Sequence, residues 1–353
     1  MNSQHQRSRQ RGFTLTEAVL VVGCGAILLA MGLPAFQRVG CNSMREQSKA
    51  NLAQLSAAHT AYAADWSGRQ YTLVPDDLGA FGGSFAQWQD SNGCAPRALL
   101  GENSEGVAFE VGTVCDGAGT FVSEQWLVPM DFASGGGAGA YRIANARLVN
   151  VYVDGRFYDE TFYAPDDPLV TSELRKVQRA GGDFELLEEG LIESTYAYSP
   201  AAMFDPRVFG FGANPPSYRN PNTSSVLMGE GYRSPSVAQC AHPALKTRLM
   251  EMWAIENPPA PCNPSLPGCT PYMWNQSTFS RPLAAFFDGS VRIFTPRETM
   301  YAEDRANQAL WVRNTPFGPN GFGGAQAADY LVKTSVHFFT SFGIAGRDTL
   351  ATQ

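Results

Sequence analysis

Residues 18–33 carry no charge, and no other feature narrows the possible folds so far. With Phe13–Thr16 in front and Pro34–Phe36 behind, the apolar stretch covers residues 13–36, and Glu17 is its one charged residue. A helix of that length rises about 1.5 Å per residue and crosses a hydrocarbon core about 30 Å thick. The preceding segment, MNSQHQRSRQRG, holds three arginines and no acid. Basic residues stay on the cytoplasmic side, so the chain after the helix is expected to face outward. Glu17 then needs a reason, because a carboxylate in hydrocarbon costs about 2.5–3.5 kcal/mol on insertion scales.

A secretory signal would place a small-residue cleavage site after the apolar run. Here the small residue, Gly12, comes before it. Cleavage at Gly12 would make Phe13 the new N-terminus and leave the helix attached. Glu17 could then neutralise the free amino group of Phe13 on a neighbouring chain. It could equally sit at the interface, screened by headgroups, and the residues alone leave both explanations open.

RGFTLTEAVLVV (residues 11–22) resembles the processing signal of type IV prepilins and type II secretion pseudopilins. The resemblance implies a prepilin peptidase that cuts after Gly12 and methylates Phe13. It also implies that Glu17 registers the subunit against other pilin or pseudopilin helices. Pro34 stands where many pilins carry a helix-kinking proline. Leu52, Leu55, His59, Tyr62 and Trp66 recur at helical spacing beyond the membrane stretch, which predicts an amphipathic helix with one apolar face. His59 on that face reads as a packing histidine.

A second resemblance is to bacterial prepilin-like proteins with a C-terminal His-x(9)-Asp-Gly motif. Arg45, Glu46, Asn51, Leu52, Gln54 and Tyr62 match its helix, NTSSVLMGE (222–230) with Gly229 and Glu230 matches a strand segment, and FFDGSVRIF matches its Asp288-Gly289 end. Thr278 stands where that motif has histidine.

The expected fold is α+β and pilin-like: a long membrane-spanning N-terminal helix packed on an antiparallel, β-rich globular domain with long loops. Its parts are a basic leader (1–12), a transmembrane half-helix (13–36), an amphipathic half-helix (37–66) and an extracytoplasmic domain (67–353). Two Asp-Gly pairs, Asp154-Gly155 and Asp288-Gly289, each lie between alternating runs and predict β-hairpins. Helices are expected in 172–190 and 298–314.

The chain has 353 residues, 44% of them hydrophobic, enough for a sizeable core, and its net charge of −7 argues against nucleic acid as a partner. Seven cysteines form no Cys-x-x-Cys pair, and six lie outside the apolar helix, which suits disulfides in an oxidising compartment. Cys94 with Cys115, and Cys240 with Cys262 or Cys269, are the local candidates. Hydrolase, metalloprotease, phosphate-loop and dinucleotide motifs are absent. No enzyme and no cofactor is therefore expected, although Asp159, Asp166 and Asp167 are candidate ligands for calcium. The function expected is a structural pilin-like subunit, a minor pilin or pseudopilin, anchored in the inner membrane and then carried into a cell-surface filament. The alternative is a tethered binding module that uses aromatic loops such as FGFG (209–212) and YMWNQ (272–276).

Overall fold

The computed structural model describes residues 43–74, 127–132, 138–153, 158–167, 193–212, 215–227, 230–251, 281–319 and 335–350, with short pieces at 80, 87, 91, 98–102, 108–111, 120–122, 155 and 174–175. The expected transmembrane stretch 13–36 lies outside them. Among the described residues no helix is long and apolar enough to cross a membrane. The chain divides into two compact units, Met1–Glu46 and Gln47–Gln353. All tertiary contacts below belong to the second.

Helix α1 spans residues 43–65. Leu52 and Leu55 are fully buried, as is His59, and Tyr62 is nearly so, as their spacing predicts. Burying each such leucine contributes about 2 kcal/mol. Trp66 departs from the prediction. The helix ends at Asp65, and Trp66 lies in the closing turn, exposed and stacked on Tyr62.

Two sheets follow. The first joins β1 (Ala98–Glu102) antiparallel to β2 (Ala108–Val111), and β2 parallel to β3 (Thr120–Val122). The second is antiparallel throughout, in the order β4 (Tyr196–Tyr198), β5 (Thr247–Glu251), β6 (Leu283–Phe286), β7 (Val291–Ile293). Its strands are short, and much of the described chain around them is built from 3-10 turns rather than from further strands. Prolines explain part of this. Pro200 and Pro206 each open a 3-10 turn, where a fixed φ suits the first position and the missing N–H costs nothing.

The Asp288-Gly289 hairpin forms as expected. Gly289 (φ 85°) donates to the Phe286 carbonyl, and Phe286 donates to Ser290 across the base of the turn. The Asp154-Gly155 hairpin does not form. Leu148 and Asn150 lie instead in α2 (Arg147–Asn150), and residues 151–153 continue as turns. Gly155, at φ 75°, donates to the Asn150 carbonyl at 2.8 Å and closes the helical turn from behind. Glycine after a helix and glycine in a tight hairpin share the same left-handed backbone, which is why the dipeptide misled. A Cβ at Gly155 would meet nothing within 4 Å. Gly155→Ala is therefore expected to cost only the backbone strain, about 1–2 kcal/mol, measured as a shift in the denaturant midpoint.

The described part of NTSSVLMGE is not a strand: residues 221–227 form successive turns, and Glu230 opens a 3-10 turn, Glu230–Tyr232. A third helix, α3 (Pro296–Ala306), starts two residues earlier and ends sooner than expected. Thr295 caps it by accepting from the Glu298 N–H, and Asn307 ends it in a left-handed conformation. Leu310 packs in the core beyond it. Of 172–190, only residues 174–175 are described, and they are helical. A fourth helix, α4 (Val336–Phe339), opens the segment 335–350.

Candidate functional site

The residues of the expected processing signal, Gly12, Phe13 and Glu17, lie outside the described residues. So do Gly229, Thr278, Cys94, Cys115, Cys262, Cys269 and the YMWNQ loop. Among the described residues Cys240 has no disulfide partner, and its expected partners, Cys262 and Cys269, are not among them. Asp288 sits exposed at its turn and accepts from the Ser290 N–H (2.9 Å) and hydroxyl (2.7 Å), a structural arrangement. Glu230 accepts from Arg207 at 2.8 Å on the surface.

The three aspartates considered for calcium have separate tasks. Asp159 accepts from the Thr161 N–H (2.8 Å), buried Asp167 accepts from the Thr195 hydroxyl (3.1 Å), and Asp166 is exposed. Among the described residues no group of three or more His, Cys, Asp or Glu side chains is arranged to hold a metal. The FGFG loop is not an open aromatic face either: Phe209 is buried, and Phe211 lies beneath the Arg219 guanidinium at 3.6 Å.

The structure instead concentrates polar chemistry on both sides of β5. On one side is α1. Ser48 hydrogen-bonds to the Tyr196 hydroxyl and to the Glu251 carboxylate, while Glu251 also accepts from the Leu283 N–H at 2.6 Å. Asn51 donates to the carbonyls of Glu160 and Tyr163. His59 and the Tyr198 hydroxyl share a hydrogen bond of 2.7 Å. Burial, and then the neighbouring Arg248 charge, hold His59 well below the ordinary histidine value.

Arg248 reaches the same helix because β5 is bulged. Thr247 pairs with Phe286 but Leu249 pairs with Ala285, so Arg248 is the extra residue and its side chain is redirected. Its guanidinium, 2% exposed, donates to the His59 carbonyl (3.0 Å), Gln70 Oε1 (3.1 Å) and the Thr60 hydroxyl (3.2 Å). Burial lowers Arg248 to about 10, so it remains charged at neutral pH.

The other side of β5 faces the segment 335–350. Lys246 and Asp348 form an ion pair at 2.9 Å with both side chains fully buried. Asp348 also accepts from the Thr247 N–H (2.8 Å), the Thr247 hydroxyl and the Thr340 hydroxyl (2.5 Å). Lys246 donates as well to the Ser199 hydroxyl (2.9 Å), which itself donates to the His337 carbonyl (2.6 Å). His337 links Thr247 Oγ1 (2.8 Å) to the Ala197 carbonyl (3.2 Å). Burial alone would raise the Asp348 carboxyl, but Lys246 and the two threonine hydroxyls outweigh it and hold it below its ordinary value. Burial and the Lys246 charge lower His337 to about 3. A serine, a lysine and a histidine in one network resemble nucleophile chemistry. Here all three are sealed from solvent, and the lysine is paired with a carboxylate. The network ties β5 to the segment 335–350 inside the fold.

Sequence reasoning missed this junction. The signal was faint: Lys246 and Arg248 interrupt an apolar run, with Asp348 a hundred residues away.

Comparison with protein families bears on the segment ahead of the globular unit. Residues 7–33 match the prokaryotic N-terminal methylation motif. The chain thus carries a type IV prepilin-like signal, and at that general level it is pilin-like. The match spans Gly12, Phe13 and Glu17. Comparisons with curated proteins and with solved structures find no match.

Proposed function

We propose that the protein is a subunit, a minor pilin or pseudopilin, of a type IV pilus-like or type II secretion-like filament. The methylation motif over residues 7–33 carries this reading. In it, prepilin peptidase removes the segment up to Gly12, and the helix from Phe13 stays in the inner membrane until assembly. The globular unit faces outward. Glu17 then meets the amino group of a neighbouring Phe13, which relieves the cost of a carboxylate in hydrocarbon. Helix packing adds cohesion. The size of the region after α1 supports a minor place, since bulky heads crowd a dense helical filament. The polar network on β5 supports a scaffold role in preference to catalysis, because its nucleophile and base are sealed inside.

Two variants test the proposal in cells that express the processing machinery. Gly12→Val is expected to remain unprocessed in the membrane fraction and to vanish from sheared surface material. Glu17→Ala is expected to be processed and still fail to assemble. Wild-type amounts of the Gly12→Val chain in the sheared fraction would sink the proposal. Full activity of that chain as an unprocessed membrane monomer would favour a tethered binding module.

A further inference from the structure

We infer that the C-terminal end of α1 carries a binding site for an arginine side chain of a partner protein, formed by Trp66, Tyr152 and Asp65. Trp66 is 47% exposed. One face of its indole rests on Tyr62, with centroids 5.4 Å apart and planes 15° from parallel. Tyr62 is itself buried, so the stack rests on a fixed floor. Tyr152 stands edge-on to the same ring at 6.0 Å. Its hydroxyl donates to Asp65 Oδ2 at 2.8 Å, and Asp65 makes no further hydrogen bond or ion pair among the described residues.

Three features here attract positive charge. The indole face carries the negative part of its quadrupole. The Asp65 carboxylate lies beside it. Asp65 is also the last residue of α1, where the helix presents its negative end. An acid at that position works against helix stability, and the Tyr152 hydroxyl that donates to it offsets part of that cost. A cation is what the three features share.

The chain supplies its own cation at several other aromatics. Arg219 lies 3.6 Å from the Phe211 ring, Arg292 4.3 Å from Phe286 and Arg313 4.3 Å from Trp311. Even exposed Tyr301 has Arg297 at 5.4 Å. Among the described residues none does this for Trp66. A protein partner has further apolar surface to cover on the element that carries Tyr152, where Leu148 in α2 is 37% exposed and Val151 in the turn after it 60% exposed. A sugar ring could stack on Trp66 as well, but it would not need the carboxylate or the helix end. The inference does not depend on filament assembly, since a tethered monomer would carry the same site.

The test uses the full chain in detergent, labelled with 5-fluorotryptophan. It has six tryptophans, and Trp66→Phe assigns the resonance. The probes are Nα-acetyl-arginine methylamide, its uncharged citrulline counterpart and methyl β-glucoside. The arginine probe is expected to shift the Trp66 resonance saturably in the millimolar range. Citrulline should bind about fivefold more weakly. Asp65→Asn should weaken arginine about threefold while leaving citrulline unchanged. Tyr152→Phe keeps the ring and frees the carboxylate, so arginine binding should persist. Equal responses to arginine and citrulline would overturn the inference. So would a stronger response to the glucoside, or no saturable shift up to about 50 mM.

Discussion

Asp348→Ala is expected to destabilise the globular unit by about 3–5 kcal/mol, the loss seen when one partner of a buried ion pair is removed. The reason is what remains. Lys246 is fully buried, and the ammonium would keep only hydroxyl and carbonyl partners at Ser199, Thr340 and Thr247. Thr247 would also lose an acceptor for its N–H. The double variant Lys246→Met with Asp348→Leu separates charge from packing. If the single loss comes from an unpaired charge, the double variant should recover most of it, since well-packed apolar replacements of buried pairs are often neutral or stabilising. Chemical unfolding of the three proteins measures this. A loss below about 1 kcal/mol in Asp348→Ala would mean that the pair is solvated in solution.

Acid is expected to unfold the protein from an unusually high pH. His59 and His337 are fully enclosed, and both are held below the ordinary histidine value, His337 at about 3. A histidine whose folded value is depressed contributes no pH-dependent loss above its unfolded value of about 6.5. As the pH falls below that, the unfolded chain takes up a proton that the folded chain refuses. Each histidine then removes about 1.4 kcal/mol per pH unit, so the two together remove about 2.7. For His337 the loss continues down to about pH 3. Asp348, held below its ordinary value, acts in the same direction but only at lower pH, as its own folded value is approached. Denaturant midpoints between pH 7.5 and 5 should therefore fall steeply. His337→Gln should flatten about half of the slope, whatever it does to stability at pH 7.5. A midpoint that is level down to pH 5 would show that both imidazoles accept protons in the folded state.

Local patterns in this chain proved legible, and distant pairings did not. The spacing of Leu52, Leu55, His59 and Tyr62 announces the buried face of α1, because a helix repeats every three to four residues whatever it packs on. The Asp288-Gly289 turn was visible for the same reason: a hairpin is decided by a handful of adjacent residues. Asp154-Gly155 looked identical from the sequence. What separated the two was the neighbourhood, since Val149 and Asn150 bury as part of a helical turn rather than as a strand. The turns at 221–227 defeated resemblance to a strand, with Pro221 and Asn222 favouring turns. The Lys246–Asp348 junction depends on a strand meeting a segment about a hundred residues later, and no local period records that meeting. Trp66 shows a narrower failure. It keeps the helical spacing of its neighbours, yet α1 stops one residue before it.

The seating of α1 on the sheet has a mechanical consequence. Its attachments are spread along the helix: Ser48 at Glu251 and Tyr196, Asn51 at the Glu160 and Tyr163 carbonyls, and His59 at Tyr198 and Arg248. Moving up the helix from Ser48 to His59 means moving down β5 from Glu251 to Arg248, so helix and strand run side by side in opposite directions. A pull along the helix axis therefore loads these bonds together, in shear, and none can be peeled off first. Tension that entered through the segment ahead of α1 would be shared across the width of the β4–β5 pair.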